Sequence, residues 1–244
     1  NKCLVKKTPE RLLNIVCKSG CGNFYLQEVQ IKKPKIAKLT MHYGDEFERV
    51  HDKIIKGLEK KEGSGIVLLH GEPGTGKTHY IRYLIQEIKD KKLIYVPPDM
   101  VASISKPDFL PFMLENENSI LIIEDAENII KDRMENPQQQ QGGENKTQTQ
   151  AVANILNLSD GLLGDSLHQP IIATFNCEVS KIDPALLRNG RLIANHEFKK
   201  LPVEKAQKLS NELGFTTTIA EPMTLADIYA QEADNTNNAE TNES

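Results

Sequence analysis

Gly71-Glu-Pro-Gly-Thr-Gly-Lys-Thr78 has the spacing G-x-x-x-x-G-K-[ST], and its flanks decide how it is read. Ile66-Val-Leu-Leu-His70, just before it, is a short apolar run with the character of a buried strand. Ile81, Leu84, Ile85 and Ile88, just after it, recur at helical spacing. The stretch therefore joins the end of a strand to the first turn of a helix, a place where a polyphosphate can be held. Glycines at 71, 74 and 76 let the backbone turn N–H groups inward, and the unpaired N–H groups of the new helix point at the anion. The expected cradle is Glu72, Pro73, Gly74, Thr75, Gly76, Lys77, Thr78 and His79. Lys77 would reach the outer phosphates, and the Thr78 hydroxyl would ligate Mg²⁺. A chance glycine-rich turn would not stand in the order strand, loop, helix.

The 244 residues suffice for one α/β domain with a small appendage. A hydrophobic content of 39% fits a globular core with polar tails. The net charge of −4 gives no global signal for nucleic acid or an anionic membrane. No apolar run approaches the ~20 residues of a membrane span. The four cysteines lack C-x-x-C spacing and read as reduced thiols of a cytoplasmic protein.

Strands alternate with helices along the chain, and their apolar runs are continuous. That pattern predicts an α/β fold: a five-stranded parallel sheet sandwiched by helices, followed by a short, truncated helical lid. The expected strands are the 66–70 run, Leu93–Val96, Ser119–Asp125, Gln169–Asn176 and Arg191–Phe198. Helices are expected over Asp45–Lys61, capped by Asp45, over Pro107–Asn116 and over Ala151–Leu163. Asp183-Pro-Ala-Leu-Leu-Arg188 reads as a short helix, and Pro202–Leu213 and Thr224–Tyr229 as two small ones. Thr8-Pro-Glu-Arg-Leu-Leu-Asn-Ile-Val16 has a helix start, with Phe24–Ile31 as a strand beyond it. Lys32, Lys33, Lys35 and Lys38 read as a solvated basic segment. Residues 136–148 lack apolar side chains and read as a mobile loop. The organisation expected is an N-terminal segment of unassigned fold (1–34), a nucleotide-binding core (35–200), a helical lid (201–230) and a disordered tail (231–244).

Nucleotide hydrolysis needs a carboxylate for Mg²⁺ and a group that polarises the attacking water. Ile120-Leu-Ile-Ile123 is followed by Glu124 and Asp125, where the usual order is Asp then Glu. If Asp125 took the metal, Glu124 would join the buried apolar run, and an unpaired buried carboxylate is costly. The preferred register gives Glu124 the metal and makes Asp125 the catalytic carboxylate, one methylene shorter than usual.

These motifs, together with Asn157-Leu-Ser-Asp-Gly161, Ile171-Ile-Ala-Thr-Phe-Asn176 and Asp183-Pro-Ala-Leu-Leu-Arg-Asn-Gly-Arg191, resemble an AAA+ ATPase in order and spacing. The likeness runs from about Tyr43 to Phe198. The Glu-Asp order and the N-x-x-D-G helix end look like the mitochondrial AAA protein that assembles respiratory complex III. The arginine-bearing turn also looks like the membrane AAA proteases. The resemblance implies ATP and Mg²⁺ as ligands. It implies Asn176 as the polar sensor that helps hold the attacking water, and Arg188 and Arg191 as arginine fingers donated to a neighbour's ATP. Tyr43 and Gly44 stand where family members line the adenine pocket, although a strand-to-helix corner explains them nearly as well.

Two departures bear on mechanism. No Arg or Lys follows Lys208, so a sensor arginine in the second lid helix is excluded. Met100–Ser105, where threading unfoldases carry an aromatic, offers only Val101 and Ile104. The reading is an ATP-hydrolysing motor core that self-associates, as a homo-hexamer, to remodel a protein partner. The alternatives are a DNA-linked clamp loader or initiator, and a nucleotide-switched scaffold with negligible turnover.

Overall fold

Every residue of Ile66–Gly71 is buried, and a run with no solvent face belongs inside a sheet. The computed structural model describes residues 11–34, 36, 38–101, 103–104, 108–126, 164, 166–178, 182, 184–188 and 190–231. Its strands are β1 (Leu12–Lys18), β2 (Phe24–Gln30), β3 (Ile66–Gly71), β4 (Leu93–Tyr95), β5 (Ile120–Ile123), β6 (Ile171–Phe175) and β7 (Leu192–Phe198). Its helices are α1 (Leu39–Tyr43), α2 (Phe47–Leu58), α3 (Lys77–Glu87), α4 (Pro98–Val101), α5 (Phe109–Glu115), α6 (Val203–Glu212) and α7 (225–231).

One sheet runs in the order β2-β1-β4-β5-β6-β3-β7. The five strands expected from the sequence form its parallel core, with β3 between β6 and β7. Two strands are added at the β4 edge: β1 pairs parallel to β4, and β2 antiparallel to β1. This corrects the helix expected up to Val16. Leu13 and Val16 are buried in cores on opposite faces of the sheet, and the Asn14 side-chain amide donates to the Leu93 carbonyl at 3.2 Å. The open edge of β4 offers backbone partners that override the local helix signal. Thr8 and Pro9 lie outside the described residues, as do the helix expected at 151–163, the loop 136–148 and residues 232–244.

Side chains alternate across the pleat, so β3 feeds two cores at once. Ile66 and Leu68 pack with Phe109, Phe112 and Met113 of α5. Val67 and Leu69 pack with Phe47, Ile54 and Leu58 of α2 and with Ile81, Leu84 and Ile85 of α3. Val101 and Ile104 are buried in the first of these cores. A third, smaller cluster joins Leu201, Leu209, Ile219, Leu225 and Ile228 around α6 and α7, with Leu201 and Met223 exchanging backbone hydrogen bonds. Helix α2 begins at Phe47 without a side-chain cap; the expected cap Asp45 instead accepts from Lys205 Nζ at 2.8 Å, and Glu46 stands at the N-cap. Among the described residues Cys17 and Cys21 are free thiols, and no helix is long and apolar enough to cross a membrane.

His196 of β7 packs edge-on to Phe47 and Phe198, with ring centroids 4.7 and 4.9 Å away. Burial, helped by the neighbouring His70, lowers its pKa to about 4. An unfolded histidine titrates near 6.5. Between those values the unfolded chain binds the extra proton, so the stability present above about pH 6.5 is lost as pH falls towards 4. His42, His51, His70 and His79 are lowered by burial too and act with the same sign. His196→Phe should therefore lessen the fall in melting temperature between pH 6.5 and 4, as followed by circular dichroism; an unchanged slope would show that His196 does not contribute to it.

Candidate functional site

The parallel strands deliver their C-terminal ends to one edge of the sheet, where open α/β sheets bind ligands. At that edge β3 ends on Gly71 with φ 134°, and a Cβ there would run into the Phe198 carbonyl. Gly76, with φ 100°, turns the chain into α3 as its N-cap. Between them the Thr75 hydroxyl donates to the Glu72 carbonyl at 2.7 Å. The Lys77 side chain is buried, and its ammonium donates to the carbonyls of Gly71 and Glu72 at 2.8 and 2.9 Å. The glycines thus permit a loop that closes round its own lysine.

The next two strands bring the polar groups of the opposite wall. Asp125 follows β5 with φ 50°, a left-handed conformation that Asp tolerates better than most residues. Its N–H donates to Thr174 Oγ1 at 2.9 Å, and the Ala126 N–H donates to the Thr174 carbonyl at 2.9 Å. The Asn176 amide donates to Asp125 Oδ1 at 2.7 Å. Glu124, the residue before it, does not itself line the cavity, and one of its carboxylate oxygens is buried without a hydrogen-bond partner.

Together these groups enclose a cavity of about 490 Å³. The loop contributes Pro73, Gly74, Gly76, Lys77, Thr78 and His79, and the sheet edge contributes Asp125 and Asn176. Arg82 of α3 and Leu225, Ala226 and Tyr229 of α7 complete it. The α7 residues were missed in the sequence, although a local signal was present. Thr224 and Asp227 form a reciprocal capping pair: the Asp227 N–H donates to Thr224 Oγ1 at 3.2 Å, and the Thr224 hydroxyl donates to Asp227 Oδ2 at 2.7 Å. The cap fixes where α7 starts, and the Ala226 N–H then donates to the Gly74 carbonyl at 3.0 Å.

Several expected site residues stand outside the cavity. Glu72 and Thr75 shape the loop from behind. Tyr43 packs among Phe47, Tyr80 and Phe198, its hydroxyl donating weakly to the Gly76 carbonyl at 3.4 Å, and burial raises its pKa. Gly44 ends α1 and does not line the cavity either. Arg188 is exposed after the 3₁₀ turn Pro184–Leu187. Arg191 donates from Nη1 to the Ala185 carbonyl at 3.1 Å, and its own carbonyl accepts from the Ile66 N–H at 2.8 Å. Both arginines precede β7, whereas Gly71 pairs with Phe198 at its far end. The strand between them spans roughly 20 Å at about 3.3 Å per residue. Asp183 and Asn189, the expected cap and stop of that turn, lie outside the described residues.

Comparison with known proteins agrees with this architecture. Residues 67–200, more than half of the chain, match the family described as ATPases associated with various cellular activities (AAA). Over 216 residues the chain is 27% identical to a 26S proteasome regulatory subunit 6B homolog of Saccharomyces cerevisiae, covering 84% of this chain and 44% of that one. It is 33% identical over 135 residues to an AAA-ATPase of Arabidopsis thaliana, covering 51% and 25% respectively. It is 30% identical over 176 residues to the 26S proteasome regulatory subunit 6A of Schizosaccharomyces pombe, covering 69% and 36%. The chain spans less than half the length of each of these relatives.

The left-handed backbone at Asp125 separates shape from charge in a simple variant pair. Asn tolerates that conformation and keeps an acceptor for Asn176, so Asp125→Asn should unfold in urea close to wild type. A β-branched side chain does not, and Asp125→Val should be less stable than Asp125→Asn by about 1–3 kcal/mol. Equal stabilities would mean that position 125 is not held left-handed.

Proposed function

The chain belongs to the AAA family of ATPases, and on that footing we propose that it binds MgATP in the cavity beneath α7 and hydrolyses it within a ring of its own copies, to remodel a protein partner. The observation that carries the reading is convergence. Lys77 and Thr78, Asp125, and Asn176 come from three separate stretches of chain and line one cavity. Loop glycines and a helix start supply N–H groups for the phosphates, and Lys77 supplies the cation. Residues 35–200 would act as the ATPase core and 201–230 as its lid.

The residues present fit a divalent cation. The buried Glu124 oxygen has no partner, and a carboxylate so placed calls for a positive charge. Thr78 and Glu124 would hold the Mg²⁺, which when bound neutralises charge on the β- and γ-phosphate oxygens. Asp125 would orient the attacking water and take its proton as the bond from the γ-phosphorus to the bridging oxygen of ADP breaks. Asn176 steadies Asp125 through the bond to Oδ1.

Arg188 and Arg191 cannot serve their own cavity from the opposite end of β7, which supports a role at a neighbour's. A homo-hexameric ring of the family type would supply that neighbour. Two of the relatives are regulatory subunits of the 26S proteasome, which supports work within a larger assembly. Val101 and Ile104, buried in the core, are not displayed to grip a threaded chain, so the partner would be remodelled without side-chain threading at that loop. The free thiols of Cys17 and Cys21 support a cytoplasmic setting.

Two experiments test this function. Asp125→Asn should keep MgATP affinity in calorimetry but lose steady-state hydrolysis, whereas Glu124→Gln should chiefly raise the Mg²⁺ needed for half-maximal rate. The reverse pattern would exchange the two roles. In the second, Lys77→Ala subunits and Arg188→Ala/Arg191→Ala subunits should each be nearly inactive alone. Co-assembled, they should regain part of the ATPase rate, because intact loops then meet intact arginines across an interface. Mixed oligomers as inactive as either parent would remove the shared site.

A further inference from the structure

We propose that Tyr229 of α7 and His42 of α1 form a latch that holds the lid on the phosphate-binding loop, making both of them positioning residues for nucleotide binding. The proposal rests on the nucleotide reading above and adds the group that sets lid position. His42 is only 3% exposed. Its Nδ1 lies 3.0 Å from the Lys38 carbonyl, which can only accept, so in the neutral ring Nδ1 carries the proton. Nε2 is then the acceptor, and the Tyr229 hydroxyl donates to it at 2.9 Å. Burial lowers the imidazole pKa and keeps this tautomer neutral at pH 7.

The position of Tyr229 on its helix gives the bond its consequence. Leu225 and Ala226 lie four and three residues earlier, on the same helical face. They are the residues that meet the loop: Ala226 through its N–H to the Gly74 carbonyl, and Leu225 against Gly76. Apart from these contacts α7 belongs to the small third cluster, separate from the two cores that flank the sheet. The hydrogen bond to His42 therefore ties the C-terminal turn of α7 to α1, beside the contacts that turn makes within the lid, where Ile228 is buried and Gln231 Oε1 accepts from Ser210 Oγ at 2.7 Å.

His79 ties the latch to the cavity. Its ring is stacked 6.2 Å from that of His42 and stands 5.9 Å from that of Tyr229. Its Nε2 is buried in the cavity wall without a partner. A ligand group that satisfies this nitrogen also presses on the two latch rings, so occupancy of the cavity and closure of α7 are coupled.

The test uses the whole chain with hydrogen–deuterium exchange and calorimetry of a non-hydrolysable ATP analogue. Tyr229→Phe removes the hydroxyl and keeps the ring; His42→Phe removes the acceptor. Each should speed amide exchange over 225–231 and weaken the analogue about five-fold, the size of one neutral hydrogen bond. The double variant should be no worse than either single one, since both break the same bond. His42→Gln, whose amide oxygen can accept from Tyr229, should recover part of the affinity. Unchanged exchange and affinity in Tyr229→Phe would overturn the latch, as would exchange raised equally in β3 and β6, which would signal a general loss of stability. If wild-type protein fails to bind the analogue, the nucleotide reading falls, while the exchange measurement still decides whether the latch holds α7.

Discussion

Lys77 is only 5% exposed, and its charge must be compensated inside the protein. The carbonyls of Gly71 and Glu72 do this, and they can do so only because the chain leaves β3 in a conformation that positive-φ glycines allow. The same turn starts α3 at Lys77, so the first turn of the helix, whose N–H groups have no partner within it, lines the cavity. One buried ammonium thus ties together the end of the central strand, the loop and the helix behind it. The neighbouring strands and α7 take their places against that unit.

The opposite wall is built on a second constraint, the pairing of β5 with β6. Thr174 is buried at the end of β6 and bonds the backbone of both Asp125 and Ala126. Asn176, two residues further on, bonds the Asp125 carboxylate. A short carboxylate in a strained left-handed conformation is thereby held to one position, and such strain at a cavity wall suits a group whose geometry matters more than its local stability. This also bears on the reversed acid order. Glu124 and Asp125 are adjacent in sequence yet differ in setting, one carboxylate oxygen buried without a partner and the other bonded at the cavity.

Direction along the sheet separates the proposed roles. In a parallel sheet all C-terminal ends meet at one edge, so the loop, Asp125 and Asn176 converge without long-range design. The arginines before β7 fall at the other edge for the same reason. A chain that carries both sets needs a second copy if they are to meet, and this is the physical basis for proposing a ring.

Much of this was legible in the residues. Continuous apolar runs marked five buried strands, and the G-x-x-x-x-G-K-[ST] spacing between a strand and a helical pattern marked the loop. Burial cost was the ground for separating Glu124 from Asp125 in the sequence, yet the structure leaves one Glu124 oxygen buried without a hydrogen-bond partner. These are local signals, set by the hydrophobic effect and by backbone sterics over a few residues. Where the evidence was not local, the residues could not supply it. Thr8 to Val16 carried a helix start, yet the edge of β4, about eighty residues away in sequence, drew Leu12–Lys18 into the sheet. Asp45 had the chemistry of a cap but met Lys205 instead. Tyr43 was an expected cavity residue, but it is buried among aromatics contributed by α2, α3 and β7. Tyr229 gave no sign of facing His42, 187 positions earlier. Sequence determined the strands and the loop, because each needs only neighbours in the chain. Tertiary structure decided which edge is extended, what covers the cavity and which side chains fall outside it, because those depend on surfaces that exist only after the sheet has formed.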